Sequence, residues 1–348
     1  MANLRPLARG REGRGVWVRA PGGDRKGPGM GVAEVISGRL AEGELVIIDG
    51  GMGSELQAEG VPMDELAWSA LANLERPDVV QRVHEAYIRA GAEVIIANTF
   101  AASRAALEPA GLGSRVAEAN RNAVRAALRA REAAGTRPVA VAGSMSSFCP
   151  IAMESRATDA PVGSPGSEDP RFPGPADFRE QAALLADAGA DLIALEMIEG
   201  RGYGRAAVAA AAGTGLPVWL GISPDRRDDG TLGTFAELGD GDSFEGLLSA
   251  LVDPALAAVT VMHADPGVTL DAIEVIRGHY DGPIGAYAET GGWQPPNWVF
   301  DGLTPGEYLQ HAIMWADRGA QLIGGCCGTG PGHIQALTDG LAKRTAAK

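Results

Sequence analysis

Near its C-terminus the chain reads Leu322-Ile323-Gly324-Gly325-Cys326-Cys327-Gly328-Thr329-Gly330-Pro331-Gly332-His333-Ile334. An apolar run ends in two adjacent cysteines set among glycines, and a proline then opens a helical stretch. Side chains on a regular strand alternate between faces. Neighbouring thiols therefore meet only where the backbone leaves strand geometry, and Gly324, Gly325 and Gly328 allow that at no Cβ cost. Two converging sulfurs suit a metal–thiolate site. The plainer reading is a strand end with two small buried residues, as free cysteine often packs like a modest hydrophobe. Two thiols do not complete a zinc site, so further ligands have to come from elsewhere in the chain.

From residue 41 onward, short β-rich runs alternate with longer Ala-rich helical ones. The strands are expected at 45–49, 93–98, 138–142, 191–196, 217–222, 258–263, 283–288 and 321–324. Helical patterns lie between them at 77–90, 116–133, 178–188, 203–212, 244–251, 270–279 and 305–318. Stop signals such as Ala90-Gly91-Ala92, Ala188-Gly189-Ala190 and Arg318-Gly319-Ala320 precede the next strand. This alternation implies parallel pairing with right-handed crossovers. Eight repeats fit a (β/α)8 TIM barrel of the α/β class better than a doubly wound open sheet. The Ser/Pro/Gly-rich stretch 144–176 is longer than an ordinary βα connection and is expected to lie over the catalytic face.

In such a barrel, chemistry gathers at the C-terminal strand ends. In chain order these ends carry Asp49-Gly50-Gly51, Asn98-Thr99, Gly143-Ser144, Glu196, Ser223, Met262-His263, Glu289-Thr290 and Cys326-Cys327. Asp49-Gly50-Gly51 could serve only as a helix-capping turn. Glu196 closes the apolar run Leu192-Ile193-Ala194-Leu195, where a carboxylate is costly unless it is paired or faces the barrel mouth. His263 closes another apolar strand and reads either as a core histidine or as a metal ligand. His84, His279, His311 and His333 fall in or beside helices, as surface or packing residues.

The ordered set IIDGGMGSEL, GAEVIIANTF, DLIALEM, PVWLGIS followed by DDGT, and GGCCGTGPGHI resembles the homocysteine S-methyltransferase family over residues 45–340. That family includes the S-methylmethionine and betaine enzymes and the homocysteine module of cobalamin-dependent methionine synthase. The resemblance implies a zinc-bearing (β/α)8 barrel, an EC 2.1.1 enzyme of methionine biosynthesis. Its zinc-bound thiolate, from homocysteine or a related thiol, would take a methyl group from S-methylmethionine, S-adenosylmethionine or a betaine. It further implies that Glu196 and the turn Asp49-Gly50-Gly51 hold the amino and carboxylate ends of the acceptor. Asn98 and Ser223, at neighbouring strand ends, complete the expected substrate-binding set.

The family holds zinc with three cysteines, one of them in a GxNCxxP-like motif after strand six. Here that motif reads Val261-Met262-His263-Ala264-Asp265-Pro266, so the expected metal ligands are His263, Cys326 and Cys327. Cys149, in the long loop, is the alternative third thiol. AETGG stands where the family tends to carry a PNSG-like run after strand seven. Because the departure falls on a ligand, a zinc-deficient relative acting as a binding protein or partner subunit, or one that methylates another acceptor, is the alternative. A metal-dependent hydrolase finds little support, since no HxH follows strand one.

The bulk numbers bound the rest. The 348 residues carry a formal charge of −14, which argues against nucleic acid and anionic membrane surfaces as partners. No run approaches a membrane span, no secretory h-region opens the chain, and three cysteines make no disulfide framework. A cytoplasmic enzyme of small molecules, compatible with a homo-oligomer, is the expectation. Residues 1–40 are rich in Arg and Gly and are expected to be a disordered leader, with Met30 as an alternative start, leaving 41–343 as the barrel.

Overall fold

The computed structural model of the chain describes residues 31–148, 173–234 and 243–346. Eight parallel strands form one sheet in the order β1-β12-β9-β8-β5-β4-β3-β2. These are β1 Val46–Ile47, β2 Val94–Ile96, β3 Ala140–Ser146, β4 Leu192–Glu196, β5 Val218–Ile222, β8 Ala258–Met262, β9 Ile284–Tyr287 and β12 Ala320–Ile323. A parallel bridge between Ile48 and Val94 joins the two ends of that order and closes the barrel. Among the described residues two hairpins stand outside it: β6 Pro224–Arg226 with β7 Leu232–Thr234, and β10 Gly292–Gln294 with β11 Asn297–Val299.

The alternation of side chains divides the core in two. Val46, Val94, Ala140, Ala142, Leu192, Ala194, Trp219, Ala258, Met262, Tyr287 and Leu322 form one cluster, inside the barrel. Their strand neighbours Ile47, Ile95, Val141, Ile193, Leu220, Val259, Val261 and Ile323 belong to another, with helix residues such as Tyr87, Phe178 and Trp315. The helices follow local chemistry. Pro77–Ala90 has proline in its first turn, buries Val79, Val80, Val83, Tyr87 and Ile88, and ends at Gly91 with φ 116°. The N–H groups of Gly91 and Ala92 return to Ile88 and Tyr87, a glycine stop of the expected kind. Pro305–Asp317 opens with a reciprocal Thr304–Glu307 capping box.

Two expected boundaries move. The third strand was expected to end at 142 with a loop from 144, yet it continues to Ser146 through the pairs Ser144↔Ala194, Met145↔Leu195 and Ser146↔Glu196. Gly143 and the serines are poor strand formers, but a paired neighbour outweighs propensity. The rest of that loop, with Cys149, lies outside the described residues. The leader expected over 1–40 likewise reaches too far, since Val32–Ala41 is a helix. Val32, Ile36 and Leu40 sit at helical spacing; Ile36 and Leu40 are buried in the same cluster as Val46 and Val94, and the helix packs on β1 and β3. Arg39 pairs with Glu93 and Glu44, and Gln321 Nε2 donates to the Leu40 carbonyl. Residues 1–30 lie outside the described residues. Leu40→Ala is accordingly expected to lower stability by about 2–5 kcal/mol in denaturant unfolding. An unchanged midpoint would show that this helix does not dock. Among the described residues, no helix is long and apolar enough to cross a membrane.

Candidate metal centre

The metal-capable side chains of His263, Cys326 and Cys327 come together at the C-terminal mouth of the barrel. One ligand atom from each lies within 4.8 Å of the others. Two different devices turn them inward. Met262 faces the barrel interior, so regular alternation would send His263 to the helix layer. His263 instead has φ 46°, and both residues line the same cavity. Met197 does the same after Glu196, with φ 53°. With Trp68, at φ 44°, these are the only described non-glycine residues of positive φ, and all three line the cavity. Such strain persists where surrounding structure over-determines it, characteristically at functional sites.

At the cysteine pair the glycines serve space more than torsion. Only Gly328 has positive φ, at 79°. A Cβ on Gly324 would lie 2.7 Å from Ile48 Cβ and 2.8 Å from the Asp49 carbonyl oxygen; one on Gly325 would lie 2.2 Å from Thr329 Oγ1. A Cβ on Gly51 would likewise lie 2.6 Å from the Cys326 carbonyl oxygen. The turn after β1 thus packs onto the cysteine turn, and Gly325 N–H donates to the Asp49 carbonyl at 3.0 Å.

His263 Nδ1 lies 2.7 Å from a carboxylate oxygen of Glu289. Burial disfavours the charged imidazolium, but the charges of Glu289 and Cys326 outweigh it and hold the His263 pKa well above its ordinary value. A hydrogen bond from Cys327, then His263, brings the Cys326 thiol down to about 6; Cys327, its proton shared toward Cys326, is pushed well up. Two thiols and an imidazole are a donor set that zinc accepts. The three candidate atoms, each within 4.8 Å of the others, are near enough for a single ion to engage all of them. The residues fit that ion.

The expected substrate-binding residues divide. Glu196 lines the cavity, only 6% exposed, and its carboxylate accepts from Ser144 Oγ. Burial pushes it up to about 7 against that hydrogen bond. Gly50 and Gly51 also line the cavity, but the Gly51 N–H donates to the Thr329 carbonyl at 3.0 Å and so does not stand ready for a substrate carboxylate. Asn98 lines the cavity with both amide hydrogens used, on the Ser69 carbonyl and Asn73 Oδ1 at 2.9 Å each. It holds the Ser69–Asn73 segment in place. Asp49 and Ser223 are buried outside the lining. Asp49 accepts from Ile96 N–H at 2.8 Å, tying β1 to β2, and burial pushes its carboxyl well above the usual range. The backbone N–H of Ser223 donates to Glu199 at 3.2 Å. Of the helical histidines, His84 is a packing residue, fully buried and brought down to about 3 by burial.

Sequence reasoning placed Glu289 at a strand end without giving it a role. It also missed the aromatic wall. Trp68, Phe100, Phe148, Trp293 and Trp298 line the cavity above the ligands. Trp68 stands edge-on to Trp293 at 5.8 Å and to Phe100 at 6.1 Å between centroids. Trp293 and Trp298 ride on the β10–β11 hairpin, which no periodicity in so short a segment announces.

A family profile described as homocysteine S-methyltransferase matches residues 46–341. Homocysteine S-methyltransferase 1 of Zea mays is 30% identical over 343 residues, covering 91% of this chain and 99% of the relative. A selenocysteine methyltransferase of Astragalus bisulcatus is 25% identical over 323 residues, covering 85% and 92%. Among solved structures, the metallated form of the homocysteine methyltransferase MmuM from Escherichia coli superposes with a TM-score of 0.65 at 26% identity. It matches 85% of this chain and 96% of its own.

Proposed function

Since the chain belongs to the homocysteine S-methyltransferase family, an enzyme class that methylates thiols, we propose that it is a zinc-dependent methyltransferase taking a methyl group from a sulfonium or betaine donor to homocysteine or a related acceptor. The observation that carries this reading is the convergence of His263, Cys326 and Cys327 on one point beneath an aromatic-walled cavity. Zinc held there would lower the pKa of a substrate thiol, ordinarily near ~8.5, and so supply a thiolate at neutral pH.

The protein's own groups do the remaining work. Glu196 offers a carboxylate to the acceptor's ammonium, a charge-assisted pairing strengthened by burial. The rings of Trp68, Phe100 and Trp293 offer quadrupole faces and apolar surface to a methylated cation, worth about 0.5–2 kcal/mol per contact. They also exclude water from the line of transfer. The methyl carbon passes from donor sulfur or nitrogen to acceptor sulfur; one bond breaks as the other forms, and the donor leaves neutral. No proton need pass to a side chain once the acceptor is ionised.

Metal analysis of the purified full chain, with mass-spectrometric detection of methylated product, tests this reading. Homocysteine would be offered with S-methylmethionine, S-adenosylmethionine or betaine. Stoichiometric zinc and transfer from at least one donor are expected; absence of both would leave the binding-protein alternative. A second acceptor class, selenols, is supported by the similarity to a selenocysteine methyltransferase and by the histidine at the ligand position. Selenocysteine against homocysteine at matched concentrations separates the two acceptors. The cytoplasm, where thiols stay reduced, is the setting we propose.

A further inference from the structure

We propose that Glu289 is the positioning residue of the metal centre: through His263 Nδ1 it fixes the imidazole, and it returns to the site the negative charge a third thiolate would have brought. The inference rests on the zinc reading above and extends it to a residue that is not itself a ligand.

The backbone around Glu289 ties the other two ligand-bearing turns together. The Glu289 N–H donates to the Ala264 carbonyl at 3.1 Å, directly beside His263. The Ala288 carbonyl accepts from Cys326 N–H at 2.8 Å, and Thr290 N–H donates to the Cys327 carbonyl at 2.9 Å. Three consecutive residues therefore bond to the histidine turn on one side and the cysteine turn on the other. Tyr308 Oη reinforces this at 2.9 Å from both the Ala288 and the Gly324 carbonyl oxygens, with one proton to share between them. The Glu289 side chain projects from the middle of that segment to His263.

The chemistry of imidazole requires such a partner. A neutral ring carries its proton on one nitrogen and offers a lone pair from the other. A carboxylate 2.7 Å from Nδ1 favours the Nδ1–H tautomer, which puts the ring's free lone pair on Nε2 for a metal. Charge makes a second requirement. Three thiolates bring three negative charges, whereas two thiolates and an imidazole bring two. Glu289 supplies the third from one bond farther out, and at 24% side-chain exposure it is only partly screened. Two of the places where this chain departs from the family pattern, His263 and the AETGG run, are thus one device.

Zinc affinity of the full chain, measured by competition with a chromophoric chelator, tests the proposal on wild type, Glu289→Ala, Glu289→Gln, His263→Cys and the double variant His263→Cys/Glu289→Ala. Glu289→Ala is expected to weaken zinc about 10–100-fold, the usual effect of losing an outer carboxylate. Glu289→Gln, which keeps shape and an acceptor oxygen but no charge, should fall between it and wild type. With cysteine at 263 the Glu289→Ala change should cost nothing or strengthen binding, because there is no imidazole to orient. Unchanged affinity in both single variants overturns the proposal, as does an equal loss from Glu289→Ala in either background, which would mark a merely structural role. A wild-type chain that takes up no zinc overturns the metal centre itself and this role with it.

Discussion

His263→Ala is expected to lose most of its zinc and at least about a thousandfold in methyl transfer, well beyond the roughly 10–100-fold cost of an outer partner. The change removes one of the three atoms gathered within 4.8 Å and leaves two sulfurs to hold the ion. It also takes the imidazole away from between the Glu289 carboxylate and the two thiols, whose ionisation Glu289 opposes, so charge repulsion adds to the missing bond. The change brings no relief at φ 46°, since alanine is no better suited to that backbone than histidine. His263→Cys should keep the metal, because thiolate is a competent ligand, but it sets a thiolate against Glu289. The added negative charge disfavours ionisation of the acceptor thiol, so the pH–rate profile should move to higher pH. Adding Glu289→Asn, which approaches the family's PNSG-like run, should move it part of the way back. Zinc content by metal analysis and the acid limb of the profile check these expectations. If His263→Ala holds zinc as tightly as wild type while Cys149→Ala does not, the third ligand is Cys149.

The barrel was legible in the sequence because its signal is repeated. Each β-rich run and each glycine-stopped helix is a separate statement of the same α/β unit, so an error of two residues in one leaves the topology intact. The cysteine turn was legible too, because adjacent thiols among glycines have few uses. What escaped was set by tertiary partners. The continuation of β3 through Gly143 and Ser144 depends on its pairing with β4. The helix Val32–Ala41 was hidden by the arginines and glycines before it, although Ile36 and Leu40 carry helical spacing. Glu289 was visible as a strand-end residue, but its contact with His263 joins positions on different strands. Counting ligands alone gave a site with one negative charge too few; the geometry supplies the missing one. Asp49 and Ser223 show the reverse case. Their positions at strand ends suggested substrate contact, whereas each is buried outside the cavity lining.

Glu196→Gln is expected to weaken acceptor binding by about 1–3 kcal/mol, the range for a hydrogen bond to a charged group, and to remove the part of its pH dependence that the carboxyl contributes. Burial pushes the wild-type carboxyl from 4.5 to about 7, so near neutrality roughly half of the free enzyme carries it protonated. An acceptor ammonium pairs with the ionised form. Wild-type affinity should therefore carry a rise centred on about pH 7 that glutamine lacks, beside the dependence that ionisation of the acceptor thiol gives both. The stability consequence has the opposite sign. A carboxyl whose folded pKa exceeds its unfolded value stabilises the fold fully below about 4.5 and loses that contribution as pH rises through about 7. The loss is on the order of 3 kcal/mol across that window. Glu196→Gln, neutral throughout, should equal or exceed wild-type stability at pH 8 while binding acceptor worse. That combination distinguishes a substrate ligand from a structural residue, whose loss would lower stability at every pH. Denaturant unfolding at pH 5 and pH 8, beside acceptor titrations at the same two values, measures both halves. A variant less stable at pH 8 but unchanged in acceptor affinity would assign Glu196 to the scaffold, with Ser144 and Tyr287 as its partners.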